Sequence, residues 1–241
     1  MMTLNKAIYT HIGGRSKNED YCLCESLGRE GVCAIVTDGL GGHGQGEVAS
    51  RIAAMHLSQC KSSVVLPTEP QILGWFQSAD QEILKRSGSE NGMKTTAVFL
   101  MILHGCAVWA HIGDSRLYHF HNGALADLTL DHSVPQMQVS AGLISRYDIN
   151  KSVDRSRLLQ SLGSGSAQPE IAPACHLEPG SHAFLLCTDG FWEYLTDDEI
   201  WLDLQKSQTP DDWLRYLRCR GEARKGEDAD NNTAIAIFAE V

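Results

Sequence analysis

No uninterrupted apolar run in this 241-residue chain exceeds seven residues, the longest being Ala97–Leu103, whereas a membrane-crossing helix needs about twenty. The expectation is a protein with no membrane segment. The opening Met1-Met2-Thr3-Leu4-Asn5-Lys6-Ala7 lacks the charged cap, apolar core and small-residue cleavage site of an export signal, so a cytoplasmic location is expected. Basic residues are scarce: 20 Lys and Arg stand against 30 Asp and Glu, a formal net charge of −10. Binding to nucleic acid without regard to sequence, which relies on Lys and Arg displacing counterions from phosphates, is disfavoured. An acidic chain suits the gathering of divalent cations instead. No C-x-x-C pair occurs among the eight cysteines, and Cys33, Cys106 and Cys187 lie within apolar runs. Reduced thiols acting as small core hydrophobes are expected, not disulfides or a cysteine zinc site. Hydrophobes themselves are not lacking, at 43% of residues, which excludes wholesale disorder. A chain of this length buries roughly 70% of the surface exposed when unfolded, and a single domain over 1–241 is expected.

Strand-like runs, bounded by turn formers, occur at about residues 7–12, 20–26, 32–37, 95–103, 107–119, 182–188 and 233–240. After a glycine-rich turn, residues 46–60 repeat at helical spacing and place Val48, Ile52, Ala53 and Met55 on one face. A second helix over 69–86 carries Ile72, Phe76, Ala79 and Ile83, opened by the capping box Thr68-x-x-Gln71. Two more follow Thr196-x-x-Glu199 and Thr209-Pro210. Helices thus come in pairs on either side of a run of strands, which predicts an α+β architecture with helices packed outside sheets rather than a doubly wound parallel fold. The polar, weakly periodic stretch from Asp131 to Leu158 reads as a surface flap, and Gly163-Ser164-Gly165-Ser166 and Ser87–Gly92 read as loops.

Chemistry concentrates at strand ends. Cys33–Thr37 delivers Asp38-Gly39, and Phe184–Thr188 delivers Asp189-Gly190 in the same style. Gly113-Asp114-Ser115-Arg116, Asp230-Asn231-Asn232-Thr233 and Arg15-x-x-Asn18-Glu19-Asp20 add further carboxylates and an arginine. Acids at the ends of several buried strands repel one another unless a cation lies between them, and Mg²⁺ or Mn²⁺ takes just such oxygen ligands. Two such ions about 4 Å apart activate a shared water and hold a phosphoryl group for in-line attack, with Arg15 as a planar clamp. Taken singly, Asp114 and Asp230 fit ordinary turns; their joint occurrence argues for more. Gly39-x-Gly41-x-x-Gly44 also matches a dinucleotide fingerprint, but the acid expected some twenty residues on is missing from Leu57–Ser63. A P-loop fails outright, since Gln45-Gly46 stands where Lys-Ser or Lys-Thr belongs.

In order along the chain, Gly14-Arg15-x-x-Asn18-Glu19-Asp20, Asp38-Gly39-Leu40-Gly41-Gly42-His43-x-x-Gly46-Glu47-x-Ala49-Ser50, Thr95-Thr96-Ala97, Gly113-Asp114-Ser115-Arg116, Leu130-Asp131-His132-Ser133, Leu162-Gly163, Cys187-Thr188-Asp189-Gly190-Phe191-Trp192 and Asp230-Asn231-x-Thr233 resemble the metal-dependent Ser/Thr protein phosphatases of type 2C, the PPM family, in their compact bacterial form. The resemblance covers nearly the whole chain. It implies a four-layer α-β-β-α sandwich, two mainly antiparallel sheets between helix pairs, with a metal centre at one end. It further implies that Asp38 bridges two Mn²⁺ or Mg²⁺ ions, that the Gly39 carbonyl binds one, and that Asp189 and Asp230 complete the other. Glu19 and Asp20 would act through waters, Asp114 would recruit a third ion with Asp189, and Arg15 would clamp phosphate. Residues 135–160 would form a flap that influences substrate choice.

Eukaryotic members carry a histidine directly after Asp-Gly, where this chain has Leu40; His43 belongs to the bacterial Gly-Gly-His pattern and is read as structural. The leaving-group proton is expected from a metal-bound water, with His132 and His111 as weaker candidates. His111 is read as packed or solvent-facing, and His119 and His121 as solvated surface. The resulting expectation is a monomeric phosphatase that releases phosphate from phosphoserine and phosphothreonine without a covalent intermediate, opposing a Ser/Thr kinase and, by analogy, working beside a forkhead-associated protein. A catalytically silent phosphoprotein-binding module and a hydrolase of small phosphate esters are the alternatives.

Overall fold

Strand β3 (Gly31–Thr37) is buried along its whole length, and its alternating side chains join two different apolar layers. Val32, Ala34 and Val36 point one way, while Cys33 and Ile35 point the other. A strand covered on both faces reads as a continuous apolar run, and the same holds for Ala97–Leu103. The computed structural model describes residues 2–40, 45–62, 65–87 and 92–241. One sheet has the strand order β1 (Thr3–His11), β13 (Asn232–Glu240), β12 (Ser181–Cys187), β8 (Arg116–His121), β9 (Ala124–Leu128). The other runs β10 (Glu170–Ile171), β7 (Cys106–Ile112), β6 (Ala97–Leu103), β3, β2 (Tyr21–Ser26), with β11 (Cys175–His176) also on β7. Every pairing is antiparallel. A short ribbon, β4 (Gly39–Leu40) with β5 (Lys94–Thr95), stands apart.

Three apolar layers make four structural ones. Val36, Val98 and Leu100 meet Leu117, Phe184 and Ile235 between the sheets. Outside one sheet, Ile52, Leu57, Ile72 and Phe76 of α1 (Gly46–Leu57) and α2 (Glu69–Ser87) cover Ile35 and Phe99. Outside the other, α4 (Asp189–Trp192), α5 (Asp197–Gln205) and α6 (Pro210–Glu222) place Trp192, Ile200 and Trp213 over Tyr118 and Leu185. This is the expected α-β-β-α sandwich. Helix ends follow their capping chemistry: Thr196 and Glu199 cap reciprocally, Thr209 accepts from the Asp212 N–H ahead of Pro210, and the Gln71 side chain accepts from the Thr68 N–H at 2.8 Å.

Three expectations need correction. The run 107–119 is not one strand, because Gly113 adopts φ +98 and the chain there leaves one sheet and enters the other. A Cβ at Gly113 would come within 2.6 Å of Thr96 Cγ2, so both the turn and its packing require glycine. In α1 the buried face is Ala49, Ile52, Ala53 and Leu57, while Val48 is partly exposed and Met55 is 70% exposed. Small residues let the helix sit close to the sheet, and that proximity overrides side-chain size as a guide to burial. Cys106, expected in the core, is only half-buried, its Sγ 3.1 Å from His176 Nδ1.

The stretch 131–158 leaves the sandwich and returns, closed at its base by pairing of Ser133 with Leu158. It contains α3 (Val134–Ser140) and a 3₁₀ turn, Arg146–Lys151. Arg146 binds Asp197 at 2.8 Å, Arg155 pairs with buried Glu193, and Asn150 donates to the Glu193 carbonyl at 2.6 Å. The flap is therefore pinned to the helical segment that begins at Asp189.

Buried Asp80 on α2 accepts from the N–H groups of Gly163, Ser164 and Gly165 at 2.6, 3.1 and 3.3 Å, and Leu162 beside them pairs with Thr95. Asp80→Ala leaves those donors without their acceptor and is expected to lower the unfolding free energy by about 2–3 kcal/mol, read from urea denaturation, with Asp80→Asn losing less. A loss within error for both would show that the loop is held elsewhere.

Candidate metal centre

The carboxylates gather because strand ends from both sheets meet. Asp20 precedes β2 and Asp38 follows β3, whose Thr37 pairs with Tyr21; Asp189 follows β12, whose Cys187 pairs with Ala234 just beyond Asp230 and the start of β13. Asp114 lies in the turn between β7 and β8, where the chain changes sheets. The halves are joined where the Thr188 hydroxyl donates to Asp20 Oδ2 at 3.0 Å, and the Asp38 and Asp189 carboxyl groups lie close enough to act on each other. The segment around Glu19 is drawn in by Asn231, whose Oδ1 accepts from the Glu19 N–H at 2.8 Å while its Nδ2 donates to the carbonyls of Ile12 and Lys17.

Asp38 is fixed by its backbone. Its N–H donates to Thr96 Oγ1 at 3.1 Å, and its carbonyl accepts from Thr95 Oγ1 at 2.8 Å and the Thr96 N–H at 2.9 Å. Thr96 Oγ1 lies 2.6 Å from Ser115 Oγ, which ties the Asp38 strand end to the Asp114 turn. Gly39 sits against the Gly46 carbonyl so closely that any Cβ would collide with it, and its N–H donates to the Glu19 carbonyl at 3.2 Å. Glu19 Oε1 in turn accepts from the Gly46 N–H at 3.2 Å.

Burial and mutual repulsion act on the acids together. Asp38, Asp114 and Asp189 are pushed up from ordinary carboxylate behaviour, first by loss of water. Neighbouring charge adds to this: Asp20, Asp189 and Asp114 act on Asp38, and Asp189 on Asp114. Asp20 is raised to about 7, chiefly by burial, and its Oδ1 is buried with no hydrogen-bond partner. Glu19 is raised too, again mainly by burial. An all-oxygen donor set with an unsatisfied buried oxygen fits a hard divalent cation. No three of these carboxylates bring ligand oxygens within 4.8 Å of one another.

Among the described residues the tightest group of that kind is His111, His132 and Glu170. One nitrogen of each histidine is committed elsewhere, His111 Nε2 to the Leu130 carbonyl at 2.8 Å and His132 Nδ1 to the Gly113 N–H at 3.3 Å, while His132 Nε2 lies 3.7 Å from Glu170 Oε2. His111 is packed, as one of its two expected placements held. His119 is not surface: it is 7% exposed and bonds His182 at 2.9 Å. The partner comes from β12, a neighbour that spacing along β8 does not reveal. His43 and Gly41, Gly42 and Gly44 lie outside the described residues. Arg15 reaches the site through Asp230 Oδ2 at 2.8 Å, in a half-exposed pair. Thr95, Thr96, Thr188 and Asn231 stand in the motifs with no expected role of their own, and here they hold the acids.

Carboxyl groups whose proton affinity is raised by folding bind more protons in the native than in the unfolded chain. The stability this gives is full below the ordinary value of 3.8 and is lost as pH climbs through about 7, the value for Asp20. In chelator, the melting temperature should therefore fall by several degrees between about pH 5 and about pH 8, and Mn²⁺ should restore more of it at the higher pH. A chelated protein equally stable across that range would remove the repulsion from the account.

The sequence model for the protein phosphatase 2C family matches residues 9–224. A serine/threonine phosphatase, stp, of Listeria monocytogenes is 33% identical over 211 residues, covering 84% of this chain and 82% of that protein. Among solved structures, PppA of Pseudomonas aeruginosa, described as a key regulatory component of T6SS, superposes with a TM-score of 0.81 at 26% identity over 98% of this chain and 97% of that one. The catalytic domain of the phosphatase PstP, solved with 2 manganese ions, has a TM-score of 0.83 at 23% identity over 100% of both chains, a likeness of fold. A family match reaching from the first strand to the end of the last helix, beside a relative one third identical over more than four fifths of the chain, makes this chain a member of the protein phosphatase 2C family.

Proposed function

We propose that this phosphatase hydrolyses phosphoserine and phosphothreonine in proteins at a centre of two Mn²⁺ or Mg²⁺ ions, with a third held between Asp114 and Asp189. The observation that carries the reading is the convergence of Asp20, Asp38, Asp114, Asp189 and Asp230 where the two sheets meet, with Asp20 Oδ1 buried and without a hydrogen-bond partner. In this reading Asp38, the Gly39 carbonyl, Asp189 and Asp230 would hold the ions, and Glu19 and Asp20 would act through water. The chemistry such ions supply when bound is activation of a water for direct attack on phosphorus and neutralisation of charge on the phosphoryl oxygens.

The chain's own residues do the rest. Arg15 is held to Asp230 by a half-exposed pair, an interaction worth about 1 kcal/mol or less, so its fork turns to an arriving phosphate at little cost. Thr188 and Asn231 keep Asp20 and the Glu19 segment in place. The flap offers Leu143, Tyr147 and Val153, all strongly exposed, as an apolar surface for the polypeptide around the phosphorylated residue. The described residues include no helix long and apolar enough to cross a membrane. We read the protein as one phosphatase domain, a cytoplasmic monomer opposing a Ser/Thr kinase, with a forkhead-associated partner by analogy with secretion-linked relatives.

Phosphate release from a phosphothreonine peptide tests the reading. Turnover should require Mn²⁺, vanish in chelator, and fall by at least about a hundredfold in Asp38→Asn and Asp189→Asn; a folded, Mn²⁺-loaded wild-type protein with no turnover, or one that prefers nucleotides, would overturn it. Arg15→Ala should raise KM for the peptide about tenfold with metal affinity little changed, and an unchanged KM removes the clamp. Deleting residues 136–157 should alter selectivity among peptides more than hydrolysis of a small aryl phosphate; equal losses on both would count against the flap as a specificity element.

A further inference from the structure

We propose that Trp192 is a positioning residue that fixes the distance between Asp114 and Asp189. Its indole Nε1–H donates to the Asp114 carbonyl at 2.9 Å in a fully buried contact. Trp192 is the last residue of α4, and Asp189 is the first, so the two lie three apart on one helical turn and share a side of it. A single short turn thereby presents one carboxylate and grips the backbone of the residue that presents the other.

The grip is braced from behind. The Arg116 guanidinium lies 3.4 Å over the centre of the Trp192 ring, at a distance where a cation and an aromatic face attract. Arg116 cannot drift, because its Nε and one terminal nitrogen each donate to Asp131 at 2.7 Å and the other donates to the Tyr118 hydroxyl at 3.2 Å. Arg116 and Asp131 are both buried, and a bidentate pair away from water is directional. The Tyr118 hydroxyl donates to Asp197 Oδ1 at 2.9 Å, the same residue that Arg146 of the flap binds. On the opposite flank Ser115 is held by Thr96. The Asp114 turn is thus clamped between the Asp38 strand end and the Trp192 bracket.

The inference rests on the reading of Asp114 as a ligand of the third ion, and it adds which residue sets that site's geometry. The experiment is calorimetric titration of Mn²⁺ into metal-free protein, beside the Mn²⁺ dependence of phosphopeptide turnover, for wild type, Trp192→Phe, Asp114→Asn and Trp213→Phe. Trp213 supplies a control lesion: it is likewise buried and donates its indole N–H to the Ile200 carbonyl at 3.0 Å, outside the acidic site. Trp192→Phe keeps an aromatic ring under Arg116 but removes the donor, and it should weaken the weakest Mn²⁺ step about tenfold. Its kcat should fall at limiting Mn²⁺ and recover at high Mn²⁺, with KM for peptide within about twofold of wild type. Asp114→Asn should abolish the weak step, and Trp213→Phe should lower the melting temperature with the isotherm unmoved. An unchanged isotherm for Trp192→Phe beside a responsive Asp114→Asn overturns the bracket alone, as does an equal shift in Trp213→Phe. No effect of Asp114→Asn overturns the ligand reading itself and the bracket with it. Should Trp192→Phe fail to fold, Tyr118→Phe, which removes only the hydroxyl bracing Arg116, should weaken the same step about threefold, and no shift there overturns the proposal.

Discussion

The repulsion among carboxylates buried where two sheets meet is the constraint to which the rest of the molecule answers. Each of Asp20, Asp38, Asp114 and Asp189 loses water on folding and faces another of the group. Local preference cannot keep such groups together, so the acids are placed by what surrounds them. Threonine hydroxyls at 95, 96 and 188, the Asn231 amide and the Trp192 indole hold backbone or carboxylate atoms one by one. Three continuous apolar layers supply the rigidity that lets the arrangement persist. Stability given up at a functional site and recovered in the core is a common division of labour in enzymes.

Neither sheet carries the centre alone. Asp20 and Asp38 stand at strand ends of one, Asp189 and Asp230 at strand ends of the other, and Asp114 in the turn between them, so the sandwich must close before the acids are neighbours. The β7 to β8 crossing contributes doubly, since Gly113 both lets the chain change sheets and puts Asp114 at the junction. The flap is attached on the same side, through Arg146 and Arg155 to the residues that follow Asp189. The surface proposed to meet the phosphorylated polypeptide is in this way built on the segment that carries Asp189, a proposed metal ligand.

Much of this was legible in the sequence because its signals are local. Apolar runs at Gly31–Thr37 and Ala97–Leu103 announce strands covered on both faces, the Thr196 and Thr209 caps announce helices, and Asp-Gly after two such strands announces the site. What was hidden depends on neighbours distant in the chain. The buried face of α1 is set by how closely alanines approach the sheet, which favours Ala49 and Ala54 over Val48 and Met55. His119 seemed exposed because its partner, His182, comes from β12. The break at Gly113 was masked by strand-like residues on both sides, and only φ at one glycine separates a long strand from two strands in different sheets. The holding threonines and Asn231 carry no signal beyond their motif, because their work is a hydrogen bond to another element.

The first strand lies against the last, with nine residue pairs from Thr3 with Glu240 to His11 with Asn232, and β13 is also the partner of β12. That sheet therefore cannot be completed during synthesis until residue 240 has emerged, and β1 must wait for its neighbour across more than two hundred residues. Pairings so remote in sequence are slow to form and leave strand edges bare in the interval. Asp230 and the Asn231 amide arrive on the same late segment, so the helical layer over α1 and α2 can consolidate while the acids are still dispersed. The full set of acids is consequently assembled only once β13 has docked, and a chain cut before Asp230 would keep much of its secondary structure while lacking Asp230 and the Asn231 amide that draws in the Glu19 segment.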